Sequence, residues 1–119
     1  MSKSAREWHF YVDDMISFAE KVIDYTECFN QSKFVHSGLN YDATVRNIEL
    51  IGEAATHIPE EERSAHQNIP WRQIIAMRNR MIHGYLGIDN DTLWSIIETD
   101  IPALLLELRL LQQEISSKP

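Results

Sequence analysis

Residues 78–85, Arg-Asn-Arg-Met-Ile-His-Gly-Tyr, gather two arginines, an asparagine, a histidine and a tyrosine within eight positions. From Trp71 to Tyr85 there is no Asp or Glu, while Arg72, Arg78 and Arg80 contribute +3, in a chain whose formal net charge is −7. His83 is the side chain here whose unperturbed pKa lies near neutrality, so it can move protons at working pH. Arg78 offers a planar fork that fits phosphate oxygens. Together they could cleave RNA without a metal. The 2′-hydroxyl would attack the adjacent phosphorus, the histidine would transfer protons, and the arginine would stabilise developing charge. Tyr85 could donate to a phosphate or position the backbone. The competing reading is structural: a histidine near a helix end commonly binds the last carbonyls, and the arginines and asparagine could pin neighbouring helices. Spacing alone leaves both readings open, at "phosphate site" or "helix end".

Helical arithmetic constrains the first reading. Asn79 and His83 are four apart and share a face. Arg78 and His83 are five apart, about 140° around an ideal helix. They can meet through the long arginine side chain, through a distorted helix end, or across two subunits. Symmetric dimers are the commonest oligomers, and a two-fold axis near this segment would bring two basic patches together.

The elements that must position these residues read as helices. Trp8, Tyr11, Met15, Phe18, Val22, Tyr25 and Phe29 step by three and four, predicting a helix over about 5–29 that opens on a Ser4–Glu7 capping box. A short helical piece is expected over about 32–36. Gly38-Leu-Asn40 reads as a break, followed by a second long helix from Tyr41 to about His57 with Val45, Ile48, Ile51 and Ala55 on one face. Gly52 inside it costs about 1 kcal/mol against alanine, and close approach of a neighbouring helix would explain it. The polar stretch 60–68 is expected to connect, with room for a helical turn. Pro70 suits a helix start, so the next helix covers 70–83, with Gly84 as a left-handed stop. Asp89-Asn90-Asp91 should cap a last helix over about 91–116, whose buried stripe is Trp94, Ile97, Ile101, Leu104, Leu108, Leu111 and Ile115. Pro102 should kink it by removing a bond to the carbonyl of Glu98. No stretch alternates with period two. The expected fold is an all-α up-and-down bundle, four main helices plus a short fifth, in one domain over 1–119.

Composition sets the outer limits. With Cys28 alone, an internal disulfide is impossible and a cysteine-rich metal site is excluded. Cys28 is expected to extend the buried side of the first helix. His9, His36, His57 and His66 lack metal-ligand spacing and read as surface or packing residues. Trp8, Trp71 and Trp94 read as core rather than base-stacking residues. The start of the chain lacks the apolar stretch of a signal peptide, and the most apolar run, 101–111, is interrupted by Glu107 and Arg109. A cytoplasmic protein without a membrane span is the expectation. The acidic balance argues against broad nucleic-acid binding, so any such function must rest on a local patch.

Arg78-Asn79-x3-His83-Gly84-Tyr85 resembles the R-x4-H-x-Y motif of HepT-like toxins, in the HEPN superfamily of helical-bundle ribonucleases. The likeness extends through 45–59, 69–89 and the start of the last helix, in the family's order and spacing, and more loosely through the first helix. The resemblance implies a homodimer in which two such segments face across a cleft and cleave RNA without metal or cofactor. It implies Arg78 and His83 as the catalytic pair and Asn79 as their orienting neighbour. It further implies Tyr85 as the residue that a cognate minimal nucleotidyltransferase antitoxin of the MntA type modifies with AMP. Glu53 could pair with Arg78 or Arg80 to set the site, and otherwise reads as a surface charge. The rival reading is a non-catalytic HEPN module binding a nucleotide or a partner protein in the same cleft; a third is a purely structural dimer subunit.

Overall fold

A computed structural model describes the backbone of residues 5–82 and 89–117, with side chains from residue 7 to 81 and from 89 onward. His83, Gly84 and Tyr85, and the Ser4 of the expected capping box, lie outside the described residues. The helices are α1 (Ala5–Thr26), α2 (Gln31–His36), α3 (Gly38–Thr56), α4 (Glu60–Ala65), α5 (Trp71–Ile82), α6 (Asn90–Ser95) and α7 (Ile101–Ser117). A π-helical segment, Ile96–Asp100, joins α6 to α7. The four long rods of the expected bundle are therefore present, with α2 and α4 as two short additions and no strand among the described residues.

Packing runs as a row: α7 lies on α1, α1 on α3, and α3 on α5. The buried stripe of α1 is Trp8, Val12, Met15, Ile16, Ala19 and Val22. Tyr11, Phe18 and Phe29 pack against the core from its margin. The expected stripe is thus shifted in part: Trp8, Met15 and Val22 are buried as expected, while Val12, Ile16 and Ala19 take the centre and Tyr11 and Phe18 lie at its margin. On α3, Val45, Ile48, Ile51 and Ala55 are all buried as the pattern requires. The last helical run buries Ile97, Ile101, Leu104, Leu108 and Leu111, with Trp94 and Ile115 partly covered.

Helix ends account for the remaining differences. Thr26 turns its hydroxyl back to the carbonyl of Val22 at 2.7 Å, a local bond that competes with helix continuation. α1 stops there rather than near 29, and Cys28 is consequently exposed, not buried. The expected break at 38–40 is instead the first turn of α3. Asn40 donates to the carbonyl of Tyr25 at 2.9 Å and accepts from the Ser37 hydroxyl at 3.0 Å, anchoring this helix start to the end of α1. Asp89 caps α6, accepting from the Thr92 backbone N–H at 2.7 Å and from its hydroxyl at 3.0 Å. Those two bonds hold the Asp89 carboxyl below the usual carboxylate range. The disturbance expected at Pro102 takes the form of the π-turn just before it, where the Ile101 N–H reaches back five residues to the Ile96 carbonyl.

The α3–α5 contact depends on Gly52. A Cβ at this position would lie 3.0 Å from the carbonyl oxygen of Ile74 and 2.9 Å from Arg78 Cγ, and closer still to Arg78 Cβ. Two of those atoms are fixed to the backbone and cannot swing aside. Replacing Gly52 by alanine gains about 1 kcal/mol of helix propensity but overpacks the contact at a cost of about 1–3 kcal/mol. We therefore expect Gly52→Ala to melt several degrees below the parent in a circular-dichroism scan; an equal or higher midpoint would contradict the close approach.

Candidate functional site

Arg78 emerges from α5 directly over Gly52 of α3, so the next α3 residue, Glu53, meets its guanidinium. Nε donates to Glu53 Oε2 at 3.1 Å, and Nη2 donates to the same oxygen in a close ion pair. Nη1 donates to Asn79 Oδ1 at 2.6 Å. These three bonds come from a group with five N–H donors, which leaves two for an incoming oxyanion. Arg78 is about one-fifth exposed and Glu53 about half. The arginine is thus held through all three of its nitrogens and still keeps about one-fifth of its side chain exposed.

Glu53 is itself held from a second side. His57, one turn on, places Nε2 3.8 Å from Glu53 Oε1. The His57 ring stacks on Tyr11 of α1, with centroids 4.6 Å apart and planes inclined by 10°. A chain of contacts therefore crosses three helices, from Tyr11 through His57 and Glu53 to Arg78 and Asn79. Hydrogen bonding from Arg78 holds the Glu53 carboxyl below its ordinary range; the charges of Arg78 and His57 act in the same direction, and partial desolvation opposes them.

Of the residues singled out in the sequence, the structure brings Arg78, Asn79 and Glu53 together. Arg80 does not join them. Two residues on, it lies about 200° around the helix from Arg78 and lines a cleft of about 630 Å³ between α5 and the last helical run. Glu53 pairs with Arg78, which settles the choice the sequence left between Arg78 and Arg80. His83 and Tyr85 fall outside the described residues. Arg46 pairs with Glu49 at 3.3 Å. Buried Asn47 returns its amide to the Ala43 carbonyl at 2.8 Å, a structural use. Trp71 is buried with its indole N–H on the His66 carbonyl at 3.0 Å. Tyr11 and His57 join the site as supports of Glu53, and the four-residue spacing from Glu53 to His57 is the sequence signal for the second of them. Among the described residues, no three His, Cys, Asp or Glu side chains converge as metal ligands, and no helix is long and apolar enough to cross a membrane.

The depressed Glu53 pKa carries a pH dependence with a definite sign. Its ion pair adds stability above the ordinary carboxylate value of 4.5, and that contribution is lost as pH falls through the lower folded value. In denaturant melts at a series of pH values, the stability gap between the parent and Glu53→Gln should narrow as pH drops below 4.5. Asp89 is common to both proteins and cancels. A gap unchanged into acid would show that the ionised pair adds nothing.

A family model described as Ribonuclease HepT-like matches residues 15–111, which span α3, α5 and the whole 78–85 segment. The chain is 32% identical over 107 residues to "Putative RNase MJ1380" of Methanocaldococcus jannaschii, covering 90% of this chain and 98% of that protein. It is 35% identical over 96 residues to "Probable ribonuclease HepT" of Thermococcus cleftensis, covering 79% and 86% respectively. A longer protein of Methanocaldococcus jannaschii, "Gamma-glutamylcyclotransferase and putative RNase MJ0434", is 32% identical over 105 residues, and the chain spans 47% of its length. No solved structure matches the chain. The match over residues 15–111 and the identities of 32% and 35% over most of both chains show the family: the chain belongs to the ribonuclease HepT-like family.

Proposed function

We propose that this chain is a single HepT-like domain acting as a metal-independent endoribonuclease, the toxin of a toxin–antitoxin pair. The observation that carries the reading is Arg78, braced by Glu53 and Asn79 with donors to spare, five residues before His83 in an R-x4-H-x-Y segment. In the reaction the substrate 2′-oxygen bonds to phosphorus and the P–O5′ bond breaks, giving a 2′,3′-cyclic phosphate and a free 5′-hydroxyl. His83 takes the 2′-hydroxyl proton and supplies one to the departing oxygen. Arg78 stabilises charge on the non-bridging oxygens. Glu53 and Asn79 are positioning residues that act through Arg78, and Arg80 adds cationic charge nearby.

Five residues of ideal helix would set Arg78 and His83 about 140° apart, which favours a cleft shared by two copies, so we assign the active form to a cytoplasmic homodimer. Tyr85 is the site at which a cognate nucleotidyltransferase of the MntA type adds AMP. An adenylate there puts negative charge and bulk where substrate phosphate belongs.

The test is cleavage of total cellular RNA in excess EDTA by protein of unmodified intact mass. The parent should cut, and His83→Ala should be slower by about 10²–10⁴-fold. Equal cleavage by both proteins would remove His83 from the mechanism. Tight binding of RNA or nucleotide with no turnover would favour the non-catalytic binding module. With the cognate nucleotidyltransferase and ATP, the parent should gain mass in adenylate steps and Tyr85→Phe should gain none; a Tyr85→Phe protein that still gains them contradicts the assignment.

A further inference from the structure

The six arginines with described side chains divide into two sets. Arg46, Arg78 and Arg109 pair with Glu49, Glu53 and Glu20. Arg63, Arg72 and Arg80 have no carboxylate partner among the described residues, although the chain carries 18 acidic residues. These three border the same element. Arg72 and Arg80 stand on the exposed face of α5, together with Gln73, Ala76 and Asn79. Arg63 comes from α4 and meets Arg72 in a pocket of about 660 Å³, lined also by Ser64, Gln67 and Gln73 and by one carboxylate, Glu60. Arg63 Nε is buried without a hydrogen-bond partner. The helix α5 itself contains no acidic residue.

The geometry of that face is a track. Arg72 and Asn79 lie within about 20° of each other around the helix and about 10 Å apart along it. Arg80 flanks them about 80° from Arg72. Asn79 already contacts Arg78, so the track leads from the α4–α5 pocket to the candidate reacting centre. Cations spread over this length, with neutral amides and a hydroxyl between them, suit a polyanion with charge repeated along a strand better than a single anion. Trp71, which also lines the pocket, is buried with its indole N–H on the His66 carbonyl, so recognition here is of backbone charge rather than of stacked bases.

We infer that the pocket of Arg63 and Arg72, continued by Gln73 and Arg80 along α5, is an extended subsite holding phosphates of the single-stranded RNA flanking the scissile bond. The inference rests on the ribonuclease reading. It explains how an acidic protein holds a polyanion: carboxylates pair with Arg46, Arg78 and Arg109 and leave Arg63, Arg72 and Arg80 unpaired among the described residues, although Glu60 lines their pocket and Asp100 and Glu107 line the cleft that Arg80 also lines. Arg72 is the exposed member and carries the test, since Arg63 also fills space under α4.

The experiment measures fluorescence anisotropy of a labelled single-stranded oligoribonucleotide of mixed sequence, on proteins carrying His83→Ala so that the probe survives. It compares Arg72 with Arg72→Gln and Arg72→Lys over a series of salt concentrations. Arg72→Gln should weaken binding about three- to tenfold and lower the slope of log affinity against log salt by about 0.7. Arg72→Lys should restore the slope. Unchanged affinity and slope in Arg72→Gln, with the parent still cleaving RNA, would overturn the subsite and leave the ribonuclease reading in place. A parent that neither binds nor cleaves RNA overturns both. Equal affinity for poly-glutamate would overturn the assignment to RNA.

Discussion

Position 52 has no side chain, and the candidate site follows from that vacancy. Without a Cβ there, α5 can settle onto α3 until Arg78 lies over the glycine. The Glu53 carboxylate is then one residue from the guanidinium it binds. The same contact that closes the bundle also aims the arginine, so packing and proposed chemistry share one constraint. Glycine in a helix interior is unfavourable by about 1 kcal/mol, and here the close approach offsets it.

Electrostatics completes what packing begins. An exposed arginine alone would sample many rotamers, losing entropy whenever it engaged a substrate. Glu53 and Asn79 restrict that freedom in advance, which is how a fixed donor array gains over a mobile one. Glu53 also reduces the local positive charge. On the exposed face of α5, Arg72 and Arg80 have no carboxylate partner among the described residues. His57 and Tyr11 extend the support to α1, so the arginine is referenced to three helices rather than one.

Much of this was legible in the residue order. Long apolar stripes on α3 and the last helical run announced themselves because a periodic pattern over five turns has few rival explanations. The Asp89 cap was readable because an aspartate's short side chain satisfies early backbone donors in one stereotyped way. Gly52 pointed to a close approach but not to what approached, since the partner lies 26 residues on in Arg78. The end of α1 was misplaced because Thr26 can either continue a helix or bond back to its own turn, and sequence does not choose. Cys28 was assigned inside as a consequence. The π-turn before Pro102 was visible as a disturbance but not as a form, because the missing amide can be accommodated by a kink or by one inserted residue. Of the candidate site, the chemistry of Arg78 and His83 was suggested by residue type. The pairing of Glu53 with Arg78 needed the three-dimensional register of α3 on α5, and spacing by itself leaves a helix end and a phosphate site as alternatives, because both use the same residue types.

The claim at the centre is that Glu53 serves the reaction through Arg78. A double-mutant cycle on the rate of RNA cleavage tests it, using the parent, Glu53→Gln, Arg78→Ala and the combined variant. If Glu53 acts on the substrate through the arginine, the combined variant should be no slower than Arg78→Ala alone. Losses that multiply independently would contradict the account and place Glu53 outside the machinery of Arg78.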